Sequence, residues 1–167
     1  MRRLHRALAG AFALVSIPAA ALAQDVAEPG AKGRTVGETI FSTMAAEGRE
    51  AIHAGDLERF RDSVFVGMDH DEDGVVTYPE FAAWDPGFAI VAEEVGRSDA
   101  YTTASKIVFA VWDRDGDGGL TAPEMRFAMA ADFRRADLDD NALLTRDEFI
   151  QGFLVMVAMR AAIRPDL

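Results

Sequence analysis

Three segments of the chain place oxygen-bearing side chains at the same four positions of a twelve-residue unit. The segments span residues 69–80, 113–124 and 137–148, and the oxygen-bearing residues stand at positions 1, 3, 5 and 12 of each. Position 9 is threonine and position 8 is aliphatic in all three. Oxygen atoms that converge from a short loop are the ligands that a hard divalent cation prefers. The spacing therefore predicts three metal-binding loops, which we call loops one, two and three.

The candidate side-chain ligands are the carboxylates at these positions and a single amide. They are Asp69, Asp71, Asp73, Glu80, Asp113, Asp115, Asp117, Glu124, Asp137, Asp139, Asn141 and Glu148. The segments resemble the EF-hand calcium loops of the calmodulin superfamily, over roughly residues 57–160 with the flanking helices included. The resemblance implies Ca²⁺ as the bound ion and a bidentate glutamate at position 12. It also implies a backbone carbonyl ligand at position 7, which is Val75, Gly119 or Leu143.

Loop three departs from the other two at two positions. Ala142 stands at position 6, where a backbone with positive φ favours glycine. Asn141 lowers the number of carboxylates to three, against four in each of the other loops. We therefore expect two firm sites and a weaker third. The alternative, that these acids are only solvated loop charges, is disfavoured because converging carboxylates repel one another without a cation.

Helical patterns surround the loops. Thr35 and Glu38 form a capping-box pattern before Ile40 and Met44, and apolar residues recur at helical spacing over 57–68. No stretch alternates convincingly over more than four residues, so the sequence predicts an all-α fold of helix–loop–helix repeats with an N-terminal helical segment. We place this domain at residues 35–167, after a flexible leader at 24–34.

The arrangement of the loops follows less directly from the sequence. The resemblance implies that loops pair through a short β-bridge between their position-8 residues, which are Val76, Leu120 and Leu144. No acid-rich segment qualifies as a fourth loop, and we favour pairing of loops two and three, with loop one backed by the N-terminal helices. Residues 125–136 alone connect these two loops, about 18 Å if helical. We therefore expect a truncated helix, a kink and a very short second helix there.

The N-terminus has the pattern of a secretory signal peptide. Arg2, Arg3 and Arg6 precede an apolar stretch at 7–20, and the small-residue pattern at 21–23 predicts cleavage after Ala23. The alternative, a retained anchor, is disfavoured because the apolar run is shorter than the roughly 20 residues that span a bilayer. The sequence thus predicts a periplasmic or secreted protein.

Composition and motifs narrow the function. A net charge of −11 argues against nucleic acid as a partner, and the chain has no cysteine for thiol catalysis. It carries none of the common nucleophile, zinc-protease or phosphate-loop motifs, so we expect a binding protein and not an enzyme. Two roles remain open, a calcium buffer or structural calcium protein, and a sensor that binds a partner protein. The sensor role would use a groove of Met125, Met129, Met156 and Met159 beside the nearly all-apolar stretch 149–159.

Overall fold

The computed structural model describes residues 30–45 and 49–164, which are mostly helical. Eight helices and four short strands follow one another in this part of the chain: α1 (Ala31–Met44), β1 (Ala51–His53), α2 (Ala54–Met68), β2 (Val75–Thr77), α3 (Tyr78–Ala83), α4 (Phe88–Glu94), α5 (Ser98–Trp112), β3 (Gly119–Thr121), α6 (Ala122–Ala136), β4 (Leu143–Thr145), α7 (Arg146–Gly152) and α8 (Leu154–Ala162). This agrees with the predicted all-α class. The predicted signal peptide at 1–23 and residues 24–29 of the predicted leader lie outside the described residues.

Capping residues set the starts of the helices that leave the three loops. Thr77, Thr121 and Thr145 precede α3, α6 and α7, and each forms a capping box with the glutamate three residues later. Proline in the first turn of α3 and α6 costs no hydrogen bond, because the first N–H groups of a helix have no helical partner. At the other end of the domain, α1 begins at Ala31, so residues 31–34 of the predicted leader are helical.

Helix α6 runs without interruption from loop two to loop three. The predicted kink and short second helix at 125–136 are therefore wrong. No glycine or proline follows Pro123 within α6, so nothing breaks its backbone hydrogen bonds. One helix thus leaves loop two and enters loop three. Helix α2, which enters loop one, has the same length of 15 residues.

The four strands form two antiparallel pairs. β2 pairs with β3, which places Val76 opposite Leu120, and β1 pairs with β4, which places Ile52 opposite Leu144. Loop two therefore pairs with loop one, and the predicted pairing of loops two and three is wrong. The reason is α6 itself, because a continuous helix of 15 residues is about 22 Å long and separates the loops at its two ends.

The apolar stretch 149–159 is divided between two helices. Phe153 has an extended backbone between α7 and α8, with φ −73° and ψ 128°. Gly152 has no space for a side chain there, since a Cβ atom would lie 2.6 Å from the Ala136 Cα atom. The Leu154 N–H donates to the Asp132 carboxylate at 3.2 Å, which satisfies one of the free donors at the start of α8. The break lets α8 pack along α5 and α1.

The four methionines predicted to line a partner groove lie in the core. Their exposed fractions are 1–4%. Helices α5 and α1 of the same chain pack against α8, on which Met156 and Met159 lie. In this conformation the methionines therefore contribute packing area and not a binding surface.

Candidate metal sites

Each of the three loops brings together its carboxylates at positions 1, 3 and 12. One oxygen from each of these residues lies within 4.8 Å of the other two, and the sets are Asp69, Asp71 and Glu80, then Asp113, Asp115 and Glu124, then Asp137, Asp139 and Glu148. Two oxygens that bind one Ca²⁺-sized ion at about 2.4 Å can be no more than about 4.8 Å apart. Each set is therefore spaced so that it could hold a metal ion.

The residues at position 5 are not part of these clusters. Asp73 and Asp117 each use one oxygen to accept the N–H two residues later, at 2.8 and 2.9 Å. Asn141 accepts the Leu143 N–H in the same way, and its amide also donates to the ligand candidate Asp139 at 2.9 Å. The position-7 residues begin strands β2, β3 and β4. Their predicted role as carbonyl ligands stays a prediction.

The carboxylate at position 1 holds the turn of each loop. One of its oxygens accepts the position-6 N–H at 3.0 Å in all three loops. The backbone at position 6 has φ 86° at Gly74, 89° at Gly118 and 62° at Ala142, which confirms the predicted left-handed conformation. For alanine this conformation costs about 1 kcal/mol. Position 4 is also left-handed, with φ 60° at Glu72 and 55° at Asp140, and this conformation was not predicted.

Backbone and threonine donors orient the glutamate at position 12. In loop one, Glu80 accepts the Thr77 N–H and hydroxyl at 2.8 Å on one oxygen and the His70 N–H at 3.0 Å on the other. These bonds, led by the one from the Thr77 N–H, lower the pKa of Glu80 to about 2. The same arrangement lowers the pKa values of Glu124 and Glu148. The three glutamates therefore stay ionised, as a metal ligand must.

The loop carboxylates carry their charge without help from basic side chains. The three loops hold eleven carboxylates at positions 1, 3, 5 and 12. The ion pairs among residues 30–45 and 49–164 include none of them. Close carboxylates without a counter-charge repel one another, and a bound cation removes that cost. An oxygen-only donor set of this kind fits a hard cation better than zinc or copper.

A fourth twelve-residue segment, 45–56, lies between α1 and α2 and was not predicted; the structure describes its residues 45 and 49–56. Its strand β1 pairs with β4 of loop three, and its twelfth residue, Asp56, forms a capping box with His53 at the start of α2. The prediction that no acid-rich segment forms a fourth loop concerned acidic residues alone, whereas the pairing of β1 with β4 depends on the backbone. One signal was present in the sequence, because 45 and 69 are separated by the same 24 residues as 113 and 137.

The fourth segment differs from the loops in what neutralises its position-12 carboxylate. Arg49 donates to both oxygens of Asp56, at 2.6 and 2.7 Å, and Arg59 also pairs with Asp56. His53 Nδ1 lies 2.9 Å from the same carboxylate, whose side chain is fully buried. The bonds from Arg49 are the main cause that lowers the pKa of Asp56 to about 2. Because a protein cation already occupies both oxygens, this segment is not a metal site of the same kind.

Comparisons of the chain with protein-family models, curated proteins and solved structures find no match. Within the described part of the chain, no helix has the length and apolar character needed to cross a membrane. The function must therefore be inferred from the three acidic clusters, each of which could hold a metal ion.

Proposed function

We propose that the protein binds Ca²⁺ through three loops of the EF-hand type. The observation that carries this proposal is the contrast in charge compensation. Eleven loop carboxylates lie outside the ion pairs of the described residues, while Asp56, at the equivalent position of the fourth segment, is paired with Arg49. Clustered oxygens without a protein counter-charge are what a cation site requires.

The ion would be held by the same positions in each loop. Positions 1, 3 and 12 supply the clustered carboxylates, and we propose that position 5 adds Asp73, Asp117 or Asn141 and position 7 adds the carbonyl of Val75, Gly119 or Leu143. Glutamate at position 12 reaches far enough to give both oxygens. That favours Ca²⁺, which takes six to eight ligands, over Mg²⁺, which demands an octahedron.

We further propose that the protein is an extracytoplasmic calcium buffer or a structural calcium protein. The pattern of residues 1–23 supports export, and the burial of the four methionines supports a role in the core instead of a binding surface. Catalysis is not part of the proposal, because the clustered acids already have a role as ligands and the sequence carries no common catalytic motif.

A sensor is the second candidate, and one feature favours it. An apolar cavity of about 50 Å³ lies at the centre of the helices, lined by Met125, Met129 and Met156 among other apolar side chains. If Ca²⁺ moved α6 away from α7, these side chains would form an apolar groove for a partner helix. A buffer would bind the ion with little change of exposed apolar surface.

Calorimetric titration of the full chain with Ca²⁺ tests the first proposal. We expect three sites, and we expect Glu80→Gln, Glu124→Gln and Glu148→Gln each to remove one, while Glu93→Gln on the exposed surface of α4 removes none. Absence of Ca²⁺ binding would overturn the proposal. An apolar fluorescent dye added during the same titration separates the two roles, since only a sensor gains dye binding on addition of Ca²⁺.

A further inference from the structure

The described part of the fourth segment, residues 49–56, is organised like the three loops, although the segment carries acids at only two of the four ligand positions, Glu47 and Asp56. Its strand β1 meets β4 in the register by which β2 meets β3, with the eighth residues of the two units opposite each other. The carboxylate of Asp56, the twelfth residue, accepts the N–H of the N-cap residue His53 at 3.1 Å. In the three loops the position-12 glutamate accepts the N–H of the N-cap threonine in the same way. Residues 49–56 thus have the strand pairing and the helix start of the three loops, which together we call the frame.

Arg49 places a positive charge inside this frame. It stands at the fifth position, where the loops carry an oxygen ligand, and its guanidinium contacts the Asp56 carboxylate through two parallel bonds. This is the bidentate contact that the resemblance implies between the position-12 glutamate and Ca²⁺. Aspartate is one methylene shorter than glutamate, which leaves space for the planar guanidinium.

The neighbouring side chains fix the arginine in this place. Arg49 Nη1 lies 2.6 Å from His53 Nε2, which must accept because a guanidinium can only donate. His53 Nδ1 lies 2.9 Å from an oxygen of the Asp56 carboxylate. The Asp56 side chain is 0% exposed and that of Arg49 is 31% exposed, so water competes little for the pair.

We propose that Arg49 acts as a built-in cation that holds strand β1 in position and thereby prepares loop three for its ion. This inference rests on the proposed function, because it assigns loop three a calcium site. Loops one and two face each other, so the strand opposite each of them is held in position only when the other loop has bound its ion. Strand β1, which lies opposite loop three, is held by Arg49 without an ion. The fixed partner offsets the weaknesses of loop three, which are Ala142 and the missing fourth carboxylate.

The test measures loop three alone in the full chain. In a Glu80→Gln, Glu124→Gln background only loop three keeps its position-12 ligand. We expect Arg49→Gln to weaken Ca²⁺ binding there by about tenfold, within the usual range of coupling between sites. The matched control, Arg126→Gln, changes an exposed arginine of α6 outside the described ion pairs and should leave the affinity within about twofold. An Arg49→Gln affinity equal to that of the control would overturn the proposal.

A second measurement separates this inference from the calcium assignment. Amide hydrogen exchange in the Ca²⁺-free protein should show protected β1 and β4 amides in the parent and in Arg126→Gln, and faster exchange in Arg49→Gln. If the parent protein binds no Ca²⁺, the proposed function fails. If the β1 amides stay protected in Arg49→Gln, the proposed role of Arg49 fails, whether or not the protein binds Ca²⁺. If Arg49→Gln does not fold, Arg49→Lys keeps the charge but loses the second bond, and it should still weaken loop three. Unchanged affinity in that variant would overturn the bidentate role.

Discussion

The two strand pairs of this protein share a register and differ in charge. Around β2 and β3, loops one and two bring eight carboxylates at ligand positions, and none is in the described ion pairs. Around β1 and β4, loop three brings three carboxylates at ligand positions, and in the facing segment Arg49 pairs with the buried Asp56. The same strand register thus occurs beside acids that pair with a protein cation and beside acids that do not. Charge compensation, and not strand register, distinguishes the segment with the paired Asp56 from the loops that could hold a metal ion.

Two helices, α2 and α6, connect the two strand pairs. Helix α2 joins the fourth segment to loop one, helix α6 joins loop two to loop three, and these two helices pack against each other. Each helix therefore connects one strand pair to the other. A change at loop two reaches loop one through hydrogen bonds between strands, but reaches loop three through 15 residues of helix.

The largest expected effect is stabilisation by Ca²⁺ at the two paired loops. A site that binds only the folded state adds about 2.7 kcal/mol when the free ion is at 100 times its Kd, so loops one and two together add about 5 kcal/mol. Thermal unfolding should show a higher Tm in Ca²⁺ than in Mg²⁺ at equal concentration. Most of the Ca²⁺-dependent rise in Tm should disappear in the Glu80→Gln, Glu124→Gln double variant. Glu148→Gln should remove only a small part of it. Equal stabilisation by both ions would rule out the calcium assignment.

The next largest effect should come from breaking the ion pair between Arg49 and Asp56, which should lower the free energy of unfolding of the Ca²⁺-free protein. Asp56→Asn removes the buried carboxylate, and Arg49 keeps only partial access to water because its side chain is 31% exposed, so we expect a cost of about 2 kcal/mol. The control is Asp62→Asn, since Asp62 is 70% exposed in its pair with Arg61 and should cost less than about 1 kcal/mol. Chemical unfolding of both variants without Ca²⁺ measures the difference, and equal losses would mean that the Arg49 pair contributes no more than a surface contact.

The same pair predicts a pH dependence with a definite sign. The pKa of Asp56 is lowered from 3.8 to about 2 in the folded protein, so ionised Asp56 stabilises the fold above pH 4. That contribution is lost as the pH falls from about 4 to about 2. The stability difference between parent and Asp56→Asn, followed by unfolding across this range, should therefore shrink toward acid. A difference that stays constant would show that the ionised pair is not its source.

The chemistry of the loops was readable from the sequence because it is local. Twelve consecutive residues contain both the ligand candidates and the Thr-x-x-Glu cap, and the structure brings positions 1, 3 and 12 together in each loop. The strained position of Ala142 was also predictable, since the turn that holds the loop requires φ > 0 at position 6. These are properties of a short backbone segment and its own side chains.

The partners of the loops were not readable because pairing is set by distant residues. Whether 125–136 forms one helix or two decides which strands can meet, and nothing inside loop two or loop three contains that information. The fourth segment lacks the full set of acids at positions 1, 3, 5 and 12, so its residue types do not predict the pairing of β1 with β4. The break at Phe153 depends likewise on Ala136 and Asp132, which lie on another helix.

A smaller effect should appear in how strongly Ca²⁺ binding at one loop depends on Ca²⁺ binding at another. Glu124→Gln should remove the loop-two site and weaken Ca²⁺ binding at loop one by about fivefold, because β3 no longer has an ion-bound loop to hold it against β2. Loop three should change by less than about twofold, since its partner strand depends on Arg49 and not on an ion. Calorimetry of Glu124→Gln beside Glu148→Gln measures this. Equal weakening of loops one and three in Glu124→Gln would mean that coupling runs through α6.

The smallest expected effect concerns position 6 of loops two and three. Removing the alanine methyl group should relieve backbone strain in loop three, and adding one should introduce strain in loop two. Ala142→Gly removes a left-handed alanine, which costs about 1 kcal/mol, so loop three should bind Ca²⁺ up to about fivefold more tightly. Gly118→Ala places the same strain in loop two, and the added Cβ atom would have no neighbour within 4 Å, so backbone strain is the only penalty. Loop two should weaken by a similar factor. Calorimetry on both variants checks the pair. If Gly118→Ala weakens loop two while Ala142→Gly leaves loop three unchanged, then the missing carboxylate at Asn141 limits loop three, and Asn141→Asp becomes the change that strengthens it.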